Sequence, residues 1–479
     1  MHSTIKNSTF YLSQIAISGI LMLTLMPIIS QYLTPGELGQ FVLAQVYMGV
    51  AVGIANFGML LSYERNFFIF EKSERDSAKL IFSAIIFVSF NLSILLAAVY
   101  LFQSEISDLI FSTNVPDNLL FVILMGVSAS SLSQYYLTFL KNSGLAKSYI
   151  KYTITNSIIN FIIAIGFMTQ SSLGSMSLAY AWVASNAIMF LSLFFKLGRG
   201  MPGSFDPRMI KGMLKISLPL TPRVFFGFMN TQLDKILLGF IGSSSLVGIY
   251  HIGQTFAMTI FQFMTGLDRV FQPEVYRKLF SKKHIKGSYE INNYIFPFFY
   301  ISIFMALILV VLSKDLVSLL LSDEYQSATP VVVILSLYYA LLFFGKITGI
   351  QLIYAKKTYI TTLLMFFGIA VNVGLNIPFI IKWGIIGAAW ATAISGILMT
   401  FVSYFVAQKY AKIAWQWKPI FVIYSLFLIA IALSLIQYSF PMYFYAFLLL
   451  KFILILFYIF VGYRLDIISI RKIKKLISN

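Results

Sequence analysis

The chain has no cysteine among its 479 residues. That absence excludes a disulfide framework, a thiolate metal site and a cysteine nucleophile. Histidine is nearly as scarce, and His2, His251 and His284 are too scattered to form a ligand cluster. Charged residues of any kind make up only 11% of the chain, and 17 of them are acidic. No metal, cofactor or enzymatic chemistry is expected from such a set. What the chain has instead is apolar mass: 59% hydrophobic residues and a mean hydropathy of +0.85. A soluble globular protein of this size does not need that much apolar surface. The expected class is an all-α polytopic membrane protein. The net charge of +18 could suggest a nucleic-acid partner. That reading is rejected, because the charge lies in short blocks between apolar stretches, as in cytoplasmic loops.

A membrane span needs roughly 20 mostly apolar residues. Fourteen stretches qualify: 10–33, 40–62, 80–102, 119–140, 149–170, 174–196, 214–240, 246–270, 292–312, 329–353, 360–381, 384–407, 418–437 and 443–463. The first is too long for the apolar core of a cleaved signal and is expected to be retained. Basic residues sort by loop parity. One side receives Lys6, Arg65, Lys72, Arg75, Lys79, Lys141, Lys147, Lys151, Lys196, Arg199, Arg208, Lys211, Lys215, the run 269–286, Lys356, Lys357, Lys409, Lys412, Lys418 and the tail 464–475. The other receives only Lys314 and Lys382. The positive-inside rule makes the crowded side cytoplasmic, with both termini inside. The largest inner loop, 269–292, reads as an amphipathic surface helix, and no loop is long enough for a catalytic domain.

The chain also repeats itself, which bears on fold before any motif does. Gly39, Phe41, Ala44 and Gln45 recur as Gly248, Tyr250, Gly253 and Gln254 at an offset of 209 (39 to 248). Gly174, Ala179, Tyr180 and Ala181 recur as Gly384, Ala389, Trp390 and Ala391 at 210 (174 to 384), and Lys147 and Tyr149 match Lys357 and Tyr359 at the same offset. Six spans separate the copies, an even number, so the two copies are expected to be parallel. The plan is two six-helix lobes, 1–210 and 211–410, followed by two extra helices and a basic cytoplasmic tail over 411–479. Lobes of this kind form transporters that work by rocking about a central site.

Several of these residues carry a resemblance. Leu33-Thr34-Pro35 through Gly39 and Gln45, then Ser217-Leu218-Pro219, Leu233-Asp234-Lys235-Ile236-Leu237-Leu238-Gly239 and Val247-Gly248-Ile249-Tyr250, resemble the polysaccharide flippases. These are the Wzx, or O-antigen transporter, family of the multidrug/oligosaccharidyl-lipid/polysaccharide exporter (MOP) superfamily, and the resemblance spans nearly the whole chain. It implies a MATE-like fold in the bacterial inner membrane. It also implies movement of undecaprenyl-pyrophosphate-linked sugars by alternating access, using an ion gradient. Membrane lipids, a polysaccharide polymerase and chain-length proteins would be the partners.

Ionisable residues at membrane depth are costly and are usually kept for a partner or a water-filled path. On the seventh span Arg223, Gly227, Asn230 and Asp234 share one helical stripe about 17 Å long. A central cavity, or a structural ion pair to a neighbouring helix, would account for it. Pro219 and Pro222 are expected to break or kink that helix near its inner end. Lys235 lies off the stripe, lining the cavity or snorkelling to the interface. Lys346 lies deep in the tenth span with Tyr339 on its face and no carboxylate in the same span, which suits a substrate or gating role. Gln45 and Asn56 on the second span, and Gln254 on the eighth, join the candidate substrate contacts. Arg65, Asp268 and Arg269, at the basic ends of those two helices, are candidates for gating or coupling. Asn156, Asn160, Ser130, Ser131, Asn372 and Asn376 read as helix–helix contacts. Lys451 has no partner in its span and could line a lipid groove.

A net-basic cavity with Arg223, Lys235 and Lys346 against Asp234 would complement a pyrophosphate. Tyr135, Tyr136, Tyr180, Tyr339 and Trp390 could stack on sugars. A MATE-type drug or cation antiporter would want acidic residues at depth in the first six spans, and there are none. A peptidoglycan lipid-precursor flippase of similar fold stays open. A membrane polymerase or glycosyltransferase would want outer-loop arginines, which the chain also lacks.

Overall fold

The computed structural model describes residues 2–111, 114–170, 172–199, 203–280, 284–439, 444–465 and 467. The side chains of 2–13, 15, 16, 223, 284–288, 444 and 445 lie outside that description. Every regular element among these residues is helical. The helices are α1 (His2–Tyr32), α2 (Pro35–Ala55), α3 (Met59–Phe70), α4 (Glu74–Leu101), α5 (Gln103–Ile110), α6 (Leu119–Asn142), α7 (Ala146–Gln170), α8 (Ser175–Leu193), α9 (Pro207–Ile241), α10 (Ser244–Phe280), α11 (His284–Leu320), α12 (Ala328–Tyr354), α13 (Thr358–Tyr410), α14 (Trp417–Ser439) and α15 (Phe444–Arg464).

Eleven helices of the described residues are long and apolar enough to cross a membrane. One of them, α13, holds 53 residues and would measure about 80 Å if straight, against a hydrocarbon core of about 30 Å. Gly384 (φ 55°, ψ −129°) folds it into two spans. With α1, with α10, and with α2 and α3 taken together, the chain makes fourteen crossings. It is an all-α polytopic membrane protein.

The second crossing is not one helix. Phe57 (φ 48°) and Gly58 (φ 62°) both take left-handed backbone and part α2 from α3. Backbone groups freed inside a membrane must find partners in protein. Asn91 of α4 supplies one, its Nδ2 donating to the Ala55 carbonyl at 3.1 Å. Asn56 caps the end of α2 and donates to Ser131 Oγ at 2.7 Å. Hydropathy cannot register such a break, because the flanking residues are apolar on both sides.

Two further details differ from expectation. The inner segment 269–292 does not form a separate surface helix among the described residues. It extends the spans themselves, α10 running to Phe280 and α11 starting at His284. Glu274 pairs with Arg277 and Lys278, and Glu290 also pairs with Lys278, so charge is balanced along these extensions. Likewise α9 runs unbroken through Pro219 and Pro222, so of the break or kink expected there the helix takes no break. The Thr221 hydroxyl donates to the Ser217 carbonyl at 3.0 Å, a side-chain bond in the stretch where both prolines lack an N–H.

Packing divides the chain into two compact units, Met1–His251 and Ile252–Asn479. Within the first, α6 packs on α8 and α2, α7 on α8 and α1, and α9 on α2, α3 and α4. Within the second, α12 packs on α13, α11 on α12 and α14, and α15 on α14 and α11. By packing, then, α9 sits with the first unit; the boundary near 210 concerns the sequence copies.

The copies are visible in backbone detail. Gly174 has φ 52° and ψ −129°, and Gly384 has φ 55° and ψ −129°. Thr34 caps α2 by accepting from the Glu37 N–H, within a capping box closed by the Glu37 carboxylate. At the same offset of 209 (34 to 243), Ser243 caps α10 by accepting from the Leu246 N–H. Inside the first unit these two helix starts touch reciprocally. A Cβ on Gly39 would lie 1.7 Å from the Ser244 carbonyl oxygen, and one on Gly248 would lie 2.1 Å from that of Pro35. Both contacts repeat the 209 spacing (35 to 244, 39 to 248).

The lysine match does not hold in the same way. The turn before α7 bonds Leu145 N–H to the Leu140 carbonyl around Gly144 (φ 74°). The turn before α13 bonds Lys357 N–H to the Leu352 carbonyl around Lys356 (φ 56°). These equivalent turns are 212 apart (145 to 357), so Lys147 and Lys357 occupy different places. The chain after α7 absorbs the two residues before Gly174.

Candidate functional site

Three places on the long helices bring ionisable side chains together among the described residues. The first is the corner where α9 meets α10. Asp234 is 9% exposed and Lys235 is 7% exposed. The Tyr250 hydroxyl donates to Asp234 Oδ2 at 2.7 Å, and Lys235 Nζ donates to Gln232 Oε1 at 3.1 Å. Asp234-Lys235 and Val247-Gly248-Ile249-Tyr250, two segments that carry the family resemblance, are thus tied together by a buried hydrogen bond. Lys235 is buried rather than extended to the interface. On the stripe shared with Asp234, Asn230 is exposed. Arg223 lies in α9, but its side chain is outside the described residues. The stripe therefore turns from open to buried along its length.

The second place joins α10 to α12. Lys346 Nζ lies 3.1 Å from Asp268 Oδ2, and the two side chains are 21% and 17% exposed. The ammonium also sits 5.4 Å from the centroid of the Phe261 ring, and that ring is 6.3 Å from the ring of Tyr339. Asp268 Oδ1 is buried and has no hydrogen-bond partner among the described residues. The sequence gives no carboxylate within the tenth span, and the one that meets Lys346 comes from 78 residues away. Arg269, beside Asp268, is exposed.

The third place joins α11 to α15. Lys451, 7% exposed, pairs with Asp315, while Lys314 Nζ donates to the Gln437 carbonyl at 2.9 Å. Lys451 thus has a partner that its own span does not supply. A small cavity beside it is lined by Ser434, Gln437, Phe447 and Leu454. The Tyr300 and Tyr458 hydroxyls each donate to the other's backbone carbonyl at 2.9 Å, further along the same two helices.

The remaining candidates are more dispersed. Gln45 and Gln254 are half-buried and make no hydrogen bond among the described residues. Asn56 ends α2 and gives its Nδ2 to Ser131, while its Oδ1 is buried without a partner among the described residues. Arg65 is exposed and donates to Asn66 Oδ1 at 3.2 Å, whereas its neighbour Glu64 takes Lys141 at 2.6 Å across to α6. Sequence reasoning passed over Tyr63 and took Tyr135 as a residue that could stack on sugars, without pairing the two. They are 1% exposed each, with ring centroids 5.5 Å apart and hydroxyls lacking partners among the described residues. Polar atoms left like this are uncommon in a packed interior. Their signal, two tyrosines on facing helices, is invisible until the helices are paired. Asn372 bonds Thr392 and Ser395 across the two arms of α13, as expected of helix–helix contacts.

The fold and these charged places define a polytopic α-helical membrane protein. It is similar to a solved lipid II flippase MurJ in an inward closed conformation, at 17% identity and a TM-score of 0.71 over 97% of this chain and 99% of that one. It is similar to an outward-facing multidrug resistance MATE transporter of the MOP superfamily, at 14% identity and a TM-score of 0.61 over 85% and 95%. It is also similar to the Vibrio cholerae MATE transporter VcmN in its bent form, at 15% identity and a TM-score of 0.53 over 86% and 98%. No curated protein sequence matches. The profile of a family described as polysaccharide biosynthesis protein matches residues 28–330. The chain belongs to that family.

Proposed function

We propose that the protein flips an undecaprenyl-pyrophosphate-linked oligosaccharide, an O-antigen or capsule repeat unit, from the inner to the outer leaflet of the bacterial inner membrane. The two repeats alternate access, coupled to an ion gradient, with both termini in the cytoplasm. Family membership supports a role in polysaccharide biosynthesis, and the fold supports a transporter. The observation that carries the substrate class is the sign of the charge held at depth. Lys235 and Lys346 are held with Asp234 and Asp268, and Arg223 in the sequence of the same α9 makes the set net basic, which suits a lipid pyrophosphate and not an organic cation. A polymerase and chain-length proteins would receive the product. Arg223 is proposed to bind the pyrophosphate, about 12 Å inside the basic end of its helix, counting from Lys215.

The test is surface polysaccharide in a strain lacking this gene, with protein level checked by immunoblot. Arg223→Ala should fail to restore it. Arg223→Lys keeps the charge but loses the planar fork, and should restore it partly. Normal polysaccharide from Arg223→Ala at normal expression would remove Arg223 from headgroup binding.

A further inference from the structure

Each repeat ties its second helix to its fourth with one acid and one lysine, and only one of the two pairs sits at depth. In the first repeat Glu64 of α3 holds Lys141 of α6. In the second, Asp268 of α10 holds Lys346 of α12. The first pair lies at the helix ends, with side chains 38% and 42% exposed, where water and salt screen it. Lys141 is one residue from the end of α6, whereas Lys346 is eight from the end of α12, about 10 Å deeper. A bare ammonium at that depth would be costly, so Asp268 is the anion that lets Lys346 stand there. Yet Asp268 is bound on one side only. Its Oδ2 takes Lys346, while its Oδ1 is buried without a partner among the described residues. An anion so incompletely held is a poor permanent strut. It suits a counter-ion that gives way to a better one.

We propose that Lys346 is an anion-binding residue for the phosphate of the lipid-linked substrate, and that Asp268 is its built-in placeholder, displaced when the phosphate arrives and restored when it leaves. This rests on the flippase reading above and adds a mechanism for release. A diphosphate presents more charge and more acceptor oxygens than one carboxylate, so it takes the ammonium on entry. Asp268 stays one side-chain rotation away and competes for Lys346 throughout the bound state. That competition weakens binding and speeds release. Phe261, against the ammonium, and Tyr339 beyond it give the site an aromatic wall. Asp268 is a positioning residue here, and Lys346 is the residue that touches substrate.

The test measures binding of undecaprenyl pyrophosphate to the full-length protein in nanodiscs, alongside polysaccharide export in cells. Asp268→Asn keeps the shape and removes the competing charge. It should tighten binding by about tenfold while export falls, because release slows. Lys346→Gln should weaken binding by about tenfold, and the double variant should bind no more tightly than Lys346→Gln. A strut would give the opposite: Asp268→Asn would loosen the site and bind the same or worse. Asp268→Glu keeps the charge, so it should return both readouts to near wild type and guards against misfolding of the asparagine variant. If the wild type restores export but Asp268→Asn binds no tighter, the placeholder is wrong and the flippase reading stands. If the wild type neither binds the lipid nor restores export, both fall.

Discussion

The two repeats start their second helices alike and join them to their fourth helices differently. Thr34 and Ser243 cap equivalent helices, Gly39 and Gly248 press against each other's neighbours, and Gly174 and Gly384 share one backbone conformation within a few degrees. After those shared points the copies diverge. The first repeat breaks its second helix at Phe57 and Gly58, and its acid–lysine pair sits near the basic end. The second keeps α10 unbroken and sets its pair at depth. Symmetry has been kept where backbones touch and relaxed where charge is placed. Close backbone contact tolerates no side chain on either partner, so it is constrained in both copies. On the function proposed above, charge placement would serve a substrate that is itself asymmetric, with a phosphate at one end only.

The largest effect should come from the shared contact. Gly39→Val and Gly248→Val each place side-chain atoms where a carbonyl now lies, 1.7 Å and 2.1 Å from the new Cβ. Both should prevent accumulation of folded protein, to a similar degree, measured by detergent-resistant expression. A clear difference between the two would break the equivalence.

The glycine pair should separate instead. Backbone with φ near +50° and ψ near −130° is a glycine conformation, and forcing alanine into it costs about 1–3 kcal/mol. Gly384→Ala should lose that and no more, since nothing lies within 4 Å of its Cβ. Gly174→Ala should lose more, because its Cβ would also meet the Glu37 carboxylate at 2.4 Å. Thermal unfolding in detergent reads the difference, and equal losses would show that Glu37 simply moves aside.

Tyr250→Phe removes the hydroxyl held by Asp234. A hydrogen bond to a charged group contributes roughly 1.5–3 kcal/mol, so unfolding should shift by that order. If the corner is structural, transport per folded molecule should change little. A collapse of transport at full stability would move Asp234 from scaffold to mechanism.

Much of this was legible beforehand. Fourteen crossings follow from apolar length, and Gly174 and Gly384 were matched from sequence alone. The site was legible by residue but not by partner. Lys346 and Asp268 were both singled out, yet as members of different groups. Their pairing depends on the depth and rotation of α10 against α12, which no local pattern encodes. Lys451 was singled out too, but its pairing with Asp315, 136 residues away in sequence, was missed for the same reason. The 210 spacing placed Lys147 and Lys357 together because a two-residue difference in loop length is invisible when only matches are counted. The break at Phe57 was hidden because Phe and Gly in an apolar run carry no hydropathy signal, and the left-handed backbone shows only when the chain is folded.

The most direct measurement sets the two acid–lysine pairs side by side. Proteoliposomes would carry the wild type, Glu64→Gln or Asp268→Asn, and movement of a labelled undecaprenyl-pyrophosphate oligosaccharide between leaflets would be timed. The account predicts that Glu64→Gln stays within about twofold of wild type, as befits a screened surface pair. It predicts that Asp268→Asn is slowed by about tenfold, a barrier rise of about 1.4 kcal/mol. Equal rates for the two variants would contradict the claim that the second repeat alone uses its pair for transport.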